Sequence, residues 1–280
     1  MRIEFIQEMI DVIRGKFFAM DSMIRKAENL KNRTNYSLIA LGSSHMEWGF
    51  IPQHGEINLG SASQDLYYSY NLYRIFNSDS VKNVFITFSV FTPNDACIKS
   101  GLAGITVTLK LLYGIDYQYK DIAEKKKLYK KEKLYKNAIN KKLKKFVPEE
   151  NFFGQAKYTN NSQPKNREEI HRRASGHYKI NKKKSNQMDY CLKLINDTLR
   201  NGQRLYFVLP PAHRFYKEVL PSSEKLFEKL YEMCKNFSHV EIINLYDSNI
   251  FTDDDFSDGD HLNEMGAKKM TRIMRGVLNK

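Results

Sequence analysis

Three short polar clusters hold the residue types that acyl-transfer chemistry requires: Gly42-Ser43-Ser44-His45, Gly60-Ser61-Ala62-Ser63, and Ser257-Asp258-Gly259-Asp260-His261-Leu262-Asn263. A serine hydroxyl is a poor nucleophile until a neighbouring base takes its proton. Ser44 follows a glycine that permits a sharp turn, and such a turn exposes both the hydroxyl and the serine's own N–H, which can face a developing oxyanion. Imidazole titrates near neutrality, so His261 is the candidate base. Asp258 lies three residues before it, across Gly259, a spacing from which a carboxylate can reach the ring Nδ1 and fix its tautomer. Asp260 is the alternative orienting acid, but an adjacent residue is poorly placed to reach its neighbour's ring. Each cluster also has a plainer reading: Gly-Ser-Ser as an ordinary turn, and Asp-Gly-Asp-His as a polar loop whose Asn263 caps the following helix.

The elements between these clusters alternate in type. Apolar runs at Tyr36–Leu41, Glu56–Leu59, Val81–Phe88, Arg204–Leu209 and Val240–Leu245 predict strands. Helical spacing marks Gln64–Phe76, residues 101–113, Asn186–Arg200, Ser223–Asn236 and Glu264–Leu278. Strands alternating with helices imply an α/β fold, here a three-layer α/β/α sandwich around a parallel sheet, flavodoxin-like in layering. In such sheets ligands gather at the carboxyl ends of the strands, where all three clusters fall. Residues 1–280 are expected to form one domain. An amphipathic helix covers residues 3–31, with Phe5, Met9, Ile13, Phe17, Met20 and Ile24 on its apolar side, and packs on the domain or lies on a membrane surface. Residues 115–185 read as a basic insertion: a Lys-rich helix over Lys120–Lys145, then a polar loop over 149–185.

Taken together, Leu-Gly-Ser-Ser after the first strand, Asn58-Leu59-Gly60 after the second and Asp-Gly-Asp-His-Leu-Asn-x-x-Gly-Ala before the last helix resemble blocks one, two and five of the SGNH/GDSL hydrolases, in the family's order. The resemblance covers residues 36–113 and 186–280; the basic segment is unmatched. It implies Ser44 as nucleophile, Asp258 and His261 as its partners, and the Gly60 N–H as a second oxyanion donor. The family often carries Gly-x-Asn-Asp after the third strand, its Asn in the oxyanion hole. Here Phe91 falls at about that place and Asn94 three residues later, past a proline, as a weak substitute. The altered block, and Gly-Ser-Ser for Gly-Asp-Ser, look like the branches that hold bacterial polysaccharide O-acetyltransferases and the teichoic-acid D-alanyl transfer protein. That implies acyl transfer, most simply of acetyl, to a hydroxyl of a glycan or polyol. Ester hydrolysis is the alternative, and a non-catalytic glycan- or membrane-binding module on the same fold is the other.

His45, Trp48 and His213 are the candidates for touching substrate. His45 should diverge from Ser44 on a tight turn, Trp48 serves equally as core packing, and His213, after Pro210-Pro211, equally as a loop histidine. No Cys/His spacing suits a metal, and Cys97, Cys191 and Cys234 read as buried thiols in a reducing compartment. No bound cofactor is expected; acetyl-CoA or another acyl donor would be a co-substrate, though no CoA motif is visible. Lys and Arg outnumber Asp and Glu by 45 to 32, and Lys120–Lys145 alone holds twelve lysines against three acids. That balance points to an anionic partner: a membrane surface, an acidic acceptor, or a merely solvated face. Nucleic acid is not expected, since no reading motif accompanies the charge. With no apolar run of signal or spanning length, the chain is expected in the cytoplasm, with the inner face of the membrane as a peripheral site.

Overall fold

A computed structural model describes residues 20–94, 103–118, 122–158 and 166–279. Residues 3–19 of the expected first helix, Cys97 and the turn residues Asn160, Asn161, Ser162 and Pro164 lie outside them. Five strands form one all-parallel sheet in the order β2-β1-β3-β4-β5: β1 (Leu38–Leu41), β2 (Glu56–Asn58), β3 (Asn83–Thr87), β4 (Arg204–Leu209) and β5 (Val240–Asn244). β1 and most of β3 and β4 are continuous buried apolar runs. That pattern is what a parallel sheet covered on both faces demands.

Alternation along the strands splits the core in two. Ile39, Leu41, Val84, Ile86, Leu205 and Phe207 face one way, with Leu72 and Tyr73 of α3 (Leu66–Phe76), Leu194 of α7 (Gln187–Arg200) and Leu230 of α9 (Ser223–Cys234). Leu38, Ala40, Phe85, Tyr206 and Val208 face the other, with Met46 of α2 (Ser44–Gly49) and Met270 and Met274 of α10 (Glu264–Leu278). This is the three-layer α/β/α sandwich expected. The helix over 20–30, α1, is tied to α2 by a buried ion pair, Lys26 Nζ to Glu47 Oε1 at 3.3 Å.

The basic segment does not stand apart. The Lys-rich stretch is a helix, α5 (Ile122–Leu143), beside α4 (Ala103–Tyr113). Ile139 of α5 packs with Met20 and Ile24 of α1. Residues 149–158 line the outer edge of the sheet, where the Asn58 N–H donates to the Phe153 carbonyl at 2.8 Å. The largest departure from expectation is a further helix, α6 (Arg167–Asn181), within the stretch read as polar loop. Asn166 caps it by accepting from the Glu168 and Glu169 N–H groups, and Ile170 and Ala174 are its buried stripe. Two buried apolar residues are too faint a stripe to stand out among charged neighbours. A short helix, α8 (Arg214–Lys217), follows β4.

The chain winds outward from β1 to β2 and crosses back over β1 to β3, so the strand order reverses between β1 and β3. A crevice opens at the carboxyl ends there. Gly42 makes the exit from β1 possible: its φ is +125°, and a Cβ on it would meet Thr87 Oγ1 at 2.2 Å and Thr87 N at 3.0 Å. Gly42→Ala therefore combines a backbone region closed to L side chains with a collision at the end of β3. The expected loss is about 2–4 kcal/mol, visible as a fall in the urea midpoint with unchanged slope; an unchanged midpoint would contradict this account of the turn.

Candidate active site

Ser44 is the first residue of α2, so its backbone N–H has no acceptor within the helix. Its N-cap, Ser43, makes no side-chain cap bond; the Ser43 hydroxyl instead donates to His45 Nδ1 at 3.0 Å. On the far side of the crevice the loop 257–261 is pinched shut at its base. Phe256 and Leu262 form an antiparallel bridge, and the Ser257 N–H donates to the His261 carbonyl at 2.9 Å. Within the loop Asp258 Oδ1 accepts from the N–H groups of Asp260 and His261 at 3.0 and 2.8 Å. Asp258 Oδ2 accepts from His261 Nδ1 at 2.7 Å. That bond leaves Nε2 as the acceptor, and the Ser44 hydroxyl stands 2.8 Å from it. Residues 217 positions apart thus meet in one chain of hydrogen bonds, Asp258–His261–Ser44. Asp260 Oδ1 is 3.9 Å from His261 Nδ1, against 2.7 Å for Asp258, so Asp258 holds the orienting position. Asn263 caps α10, accepting from the Gly266 N–H at 3.1 Å.

The other expected site residues fall elsewhere. The Gly60 N–H donates to Asn58 Oδ1 at 2.9 Å, so this donor is already taken. The nearby turn carries the single non-glycine residue with positive φ among the described residues, Ser63 at 54°, and adjoins the β1 exit through a bond from the Ser61 N–H to the Gly42 carbonyl. Asn94 is buried, its amide donating to the Asn181 carbonyl at the end of α6, so it is not turned toward Ser44. Phe91 packs between the rings of His45 and His177, at 5.7 and 4.7 Å. His45 is buried beneath the site and donates from Nε2 to Asp260 Oδ2 at 3.2 Å, so it faces the protein rather than a substrate. His213 is 1% exposed, caps α8, and sets Nε2 3.1 Å from Asp253 Oδ1; it too is closed to substrate. Trp48 remains half-exposed one helical turn after Ser44 and lines a cavity of about 220 Å³ with Asp21, Arg25, Gln155 and Lys157.

Sequence reasoning missed the side chains that α6 brings. Ile170 packs under Gly259, where a Cβ would come within 2.9 Å of its Cγ2. One turn on, Arg173 Nε pairs with Asp260 Oδ1 at 2.5 Å, and His177 Nδ1 meets the Tyr216 hydroxyl at 2.7 Å. Ile170, Arg173, Ala174 and His177 share one helix face, a three-and-four spacing that becomes legible once the segment is known to be helical. His45, Asp260 and His261 offer donor atoms within 4.8 Å of one another, a metal-like grouping. The Arg173 guanidinium already supplies the positive charge there, and a metal ion would be repelled by it.

Burial works to lower the His261 pKa, but the charges of Asp258 and Asp260 and the Asp258 hydrogen bond outweigh it, so the ring holds its proton above the usual 6.5. Burial works to raise Asp258 and Asp260; His261 for both, with Arg173 and His45 for Asp260, holds them below the usual 3.8, Asp260 well below. Burial lowers His45, and lowers His177 to about 4, so both rings are neutral near pH 7.

No protein-family model and no curated protein matches the chain. The fold and site alone define its class: a three-layer α/β/α protein with a serine, a histidine and an aspartate in hydrogen-bonding order at the carboxyl edge of the sheet. No helix among the described residues is long and apolar enough to cross a membrane.

A base must be unprotonated to accept the serine proton. Because the His261 pKa is raised, any Ser44-dependent reaction should fade as pH falls through a value above 6.5. Asp258→Asn would turn a donor toward Nδ1, favour the wrong tautomer and slow that reaction by about 10³–10⁴. Rates measured across pH check both; a limb below 6.5 or a loss under tenfold would contradict them.

Proposed function

We propose that this chain is a serine-dependent acyl-transfer enzyme of the SGNH type. The observation that carries the reading is the continuous hydrogen-bond path from Asp258 through His261 to Ser44. His261 Nε2 takes the Ser44 proton as Oγ attacks the acyl carbonyl carbon. The tetrahedral oxyanion meets the Ser44 N–H; the Gly60 N–H, expected as the second donor, is engaged by Asn58 Oδ1. The protonated His261 then gives its proton to the departing alcohol or thiol, and an acyl-Ser44 ester remains. An acceptor hydroxyl attacks that ester, its proton passing to His261 and on to Ser44 Oγ. Asp258 holds the ring and balances its charge while it is doubly protonated, without taking the proton itself.

The transferred group is proposed to be acetyl or a similarly small acyl group, delivered as an ester or thioester such as acetyl-CoA. The acceptor is proposed to be a hydroxyl of a glycan or polyol. Water reaching the same ester would give hydrolysis, so esterase activity is the second reading. The motif resemblance and the altered third block support transfer. A fluorophosphonate should label the wild-type protein at one site and leave Ser44→Ala unlabelled. Equal labelling of both, or none of either above pH 8, would overturn the proposal.

The Lys-rich helix is proposed to bring this site to an anionic membrane surface at the inner face of the membrane. Its apolar side is spent on α1 and α4, whereas Lys126, Lys133, Lys136, Lys141, Lys144 and Lys145 are exposed. The protein should co-sediment with phosphatidylserine vesicles at low salt and be released as salt shortens the Debye length to about 8 Å and less. Equal partitioning onto neutral vesicles, or none at low salt, would contradict this.

A further inference from the structure

The proton path above uses Asp258 and leaves a second carboxylate without a part. Asp260 is 2% exposed, and a carboxylate at that depth stays ionised only when paired. Beside the like charge of Asp258, which repels it, four basic groups surround it. Arg173 Nε, from α6, lies 2.5 Å from Oδ1. His45 Nε2, from α2, lies 3.2 Å from Oδ2. His177 Nδ1, also from α6, lies 3.6 Å from Oδ2, and His261 Nδ1, from its own loop, lies 3.9 Å from Oδ1. Arg173 Nη2 in turn stands 3.5 Å from His261 Nδ1. The groups facing the His261 ring are therefore Asp258 and Asp260 from its loop, Ser44 and His45 from α2, and Arg173 from α6. Tyr216 of α8 closes the set behind His177.

We infer that Asp260 and Arg173 are a positioning pair for the proposed reaction, one that ties the nucleophile's helix, the histidine loop and α6 to a single buried charge and sets how readily His261 acts as a base. The inference rests on the reading of His261 as the base of Ser44. On the nucleophile side, Asp260 accepts from His45 Nε2–H, which leaves His45 Nδ1 as acceptor for the Ser43 hydroxyl. Ser43 immediately precedes Ser44, so the start of α2 is referenced to the Asp260 carboxylate. On the base side, the same carboxylate lies within 4 Å of Nδ1 and favours the protonated ring, while the guanidinium beside it disfavours that ring. Burial lowers the His45 pKa, so besides the His261 ring itself the cation that balances Asp260 is Arg173. This gives α6 a function in the site: it delivers the cation without which two adjacent carboxylates would overload one imidazole.

Opposite charges predict opposite displacements. Asp260→Asn leaves Arg173 facing His261 uncompensated and should move the His261 titration to lower pH by about one unit or more. Arg173→Gln removes the opposing cation and should move it to higher pH. Arg173→Lys should stay near the wild type. Two readouts apply to the full chain: the pH dependence of fluorophosphonate labelling at Ser44, and titration of the His261 ring C–H resonances by NMR, assigned by their absence in His261→Gln. If Asp260→Asn fails to fold, the Arg173→Gln and Arg173→Lys comparison decides, since the Arg173 side chain is 41% exposed. Variants that coincide with the wild type, or that all shift in the same direction, would overturn the inference. If the wild type is not labelled at any pH, the proposed function fails and the catalytic part of the inference with it; opposite ring shifts would then show only that Asp260 and Arg173 tune the His261 ring.

Discussion

Two carboxylates, Asp258 and Asp260, converge on one imidazole, and the surrounding structure is organised to make that tolerable. Carboxylates this close repel, and burial penalises both. Asp258 is held by accepting three hydrogen bonds within its own short loop, two from backbone N–H groups and one from His261. Asp260 cannot be satisfied locally, because its side chain points down into the protein, and its partners come from α2 and α6. The loop is therefore stable only with the nucleophile's helix on one side and the Arg173 helix on the other. The hydrogen-bond path to Ser44 is a consequence of that packing as much as of the loop itself.

The parallel sheet supplies the frame. β1 and β3 diverge in their connections, and the crevice between their carboxyl ends receives Ser44 from one side and His261 from the other. Gly42 lets the chain leave β1 so close to Thr87 that a methyl group would not fit. On the opposite flank, the buried Lys26–Glu47 pair ties α1 to α2, and Lys26 also donates to the Gly60 carbonyl. The start of α2 is thus fixed from below by His45, from the side by α1 and at its entrance by Gly42.

Much of this was legible in the residues. β1, β3 and β4 coincide with apolar runs of the sequence because they are buried on both faces. The Asp-x-x-His spacing points to Asp258 rather than Asp260 as the ring's hydrogen-bond partner for the reason the structure displays: a residue three back can curl under the ring to 2.7 Å, whereas the adjacent carboxylate stops 3.9 Å from the same nitrogen. What could not be read is everything that depends on neighbours distant in sequence. Asn58 ends a strand like many others, and nothing local indicates that its side-chain oxygen takes the Gly60 N–H. Asn94 could not be separated from an oxyanion donor without seeing α6, whose end captures it. α6 itself is coded by a cap at Asn166 and two buried apolar residues within a charged stretch, too little to outweigh its polarity. Without α6, nothing in the sequence places Arg173 beside Asp260, which reads there as the alternative orienting acid.

The account stands or falls on whether Ser44 carries the acyl group. Brief incubation with p-nitrophenyl acetate, an acid quench and intact-mass analysis would answer this directly. One added acetyl group should appear, on the peptide containing Ser44, and be absent from Ser44→Ala and His261→Gln. No acetyl adduct, or the same adducts on lysines in wild type and Ser44→Ala alike, would contradict the account.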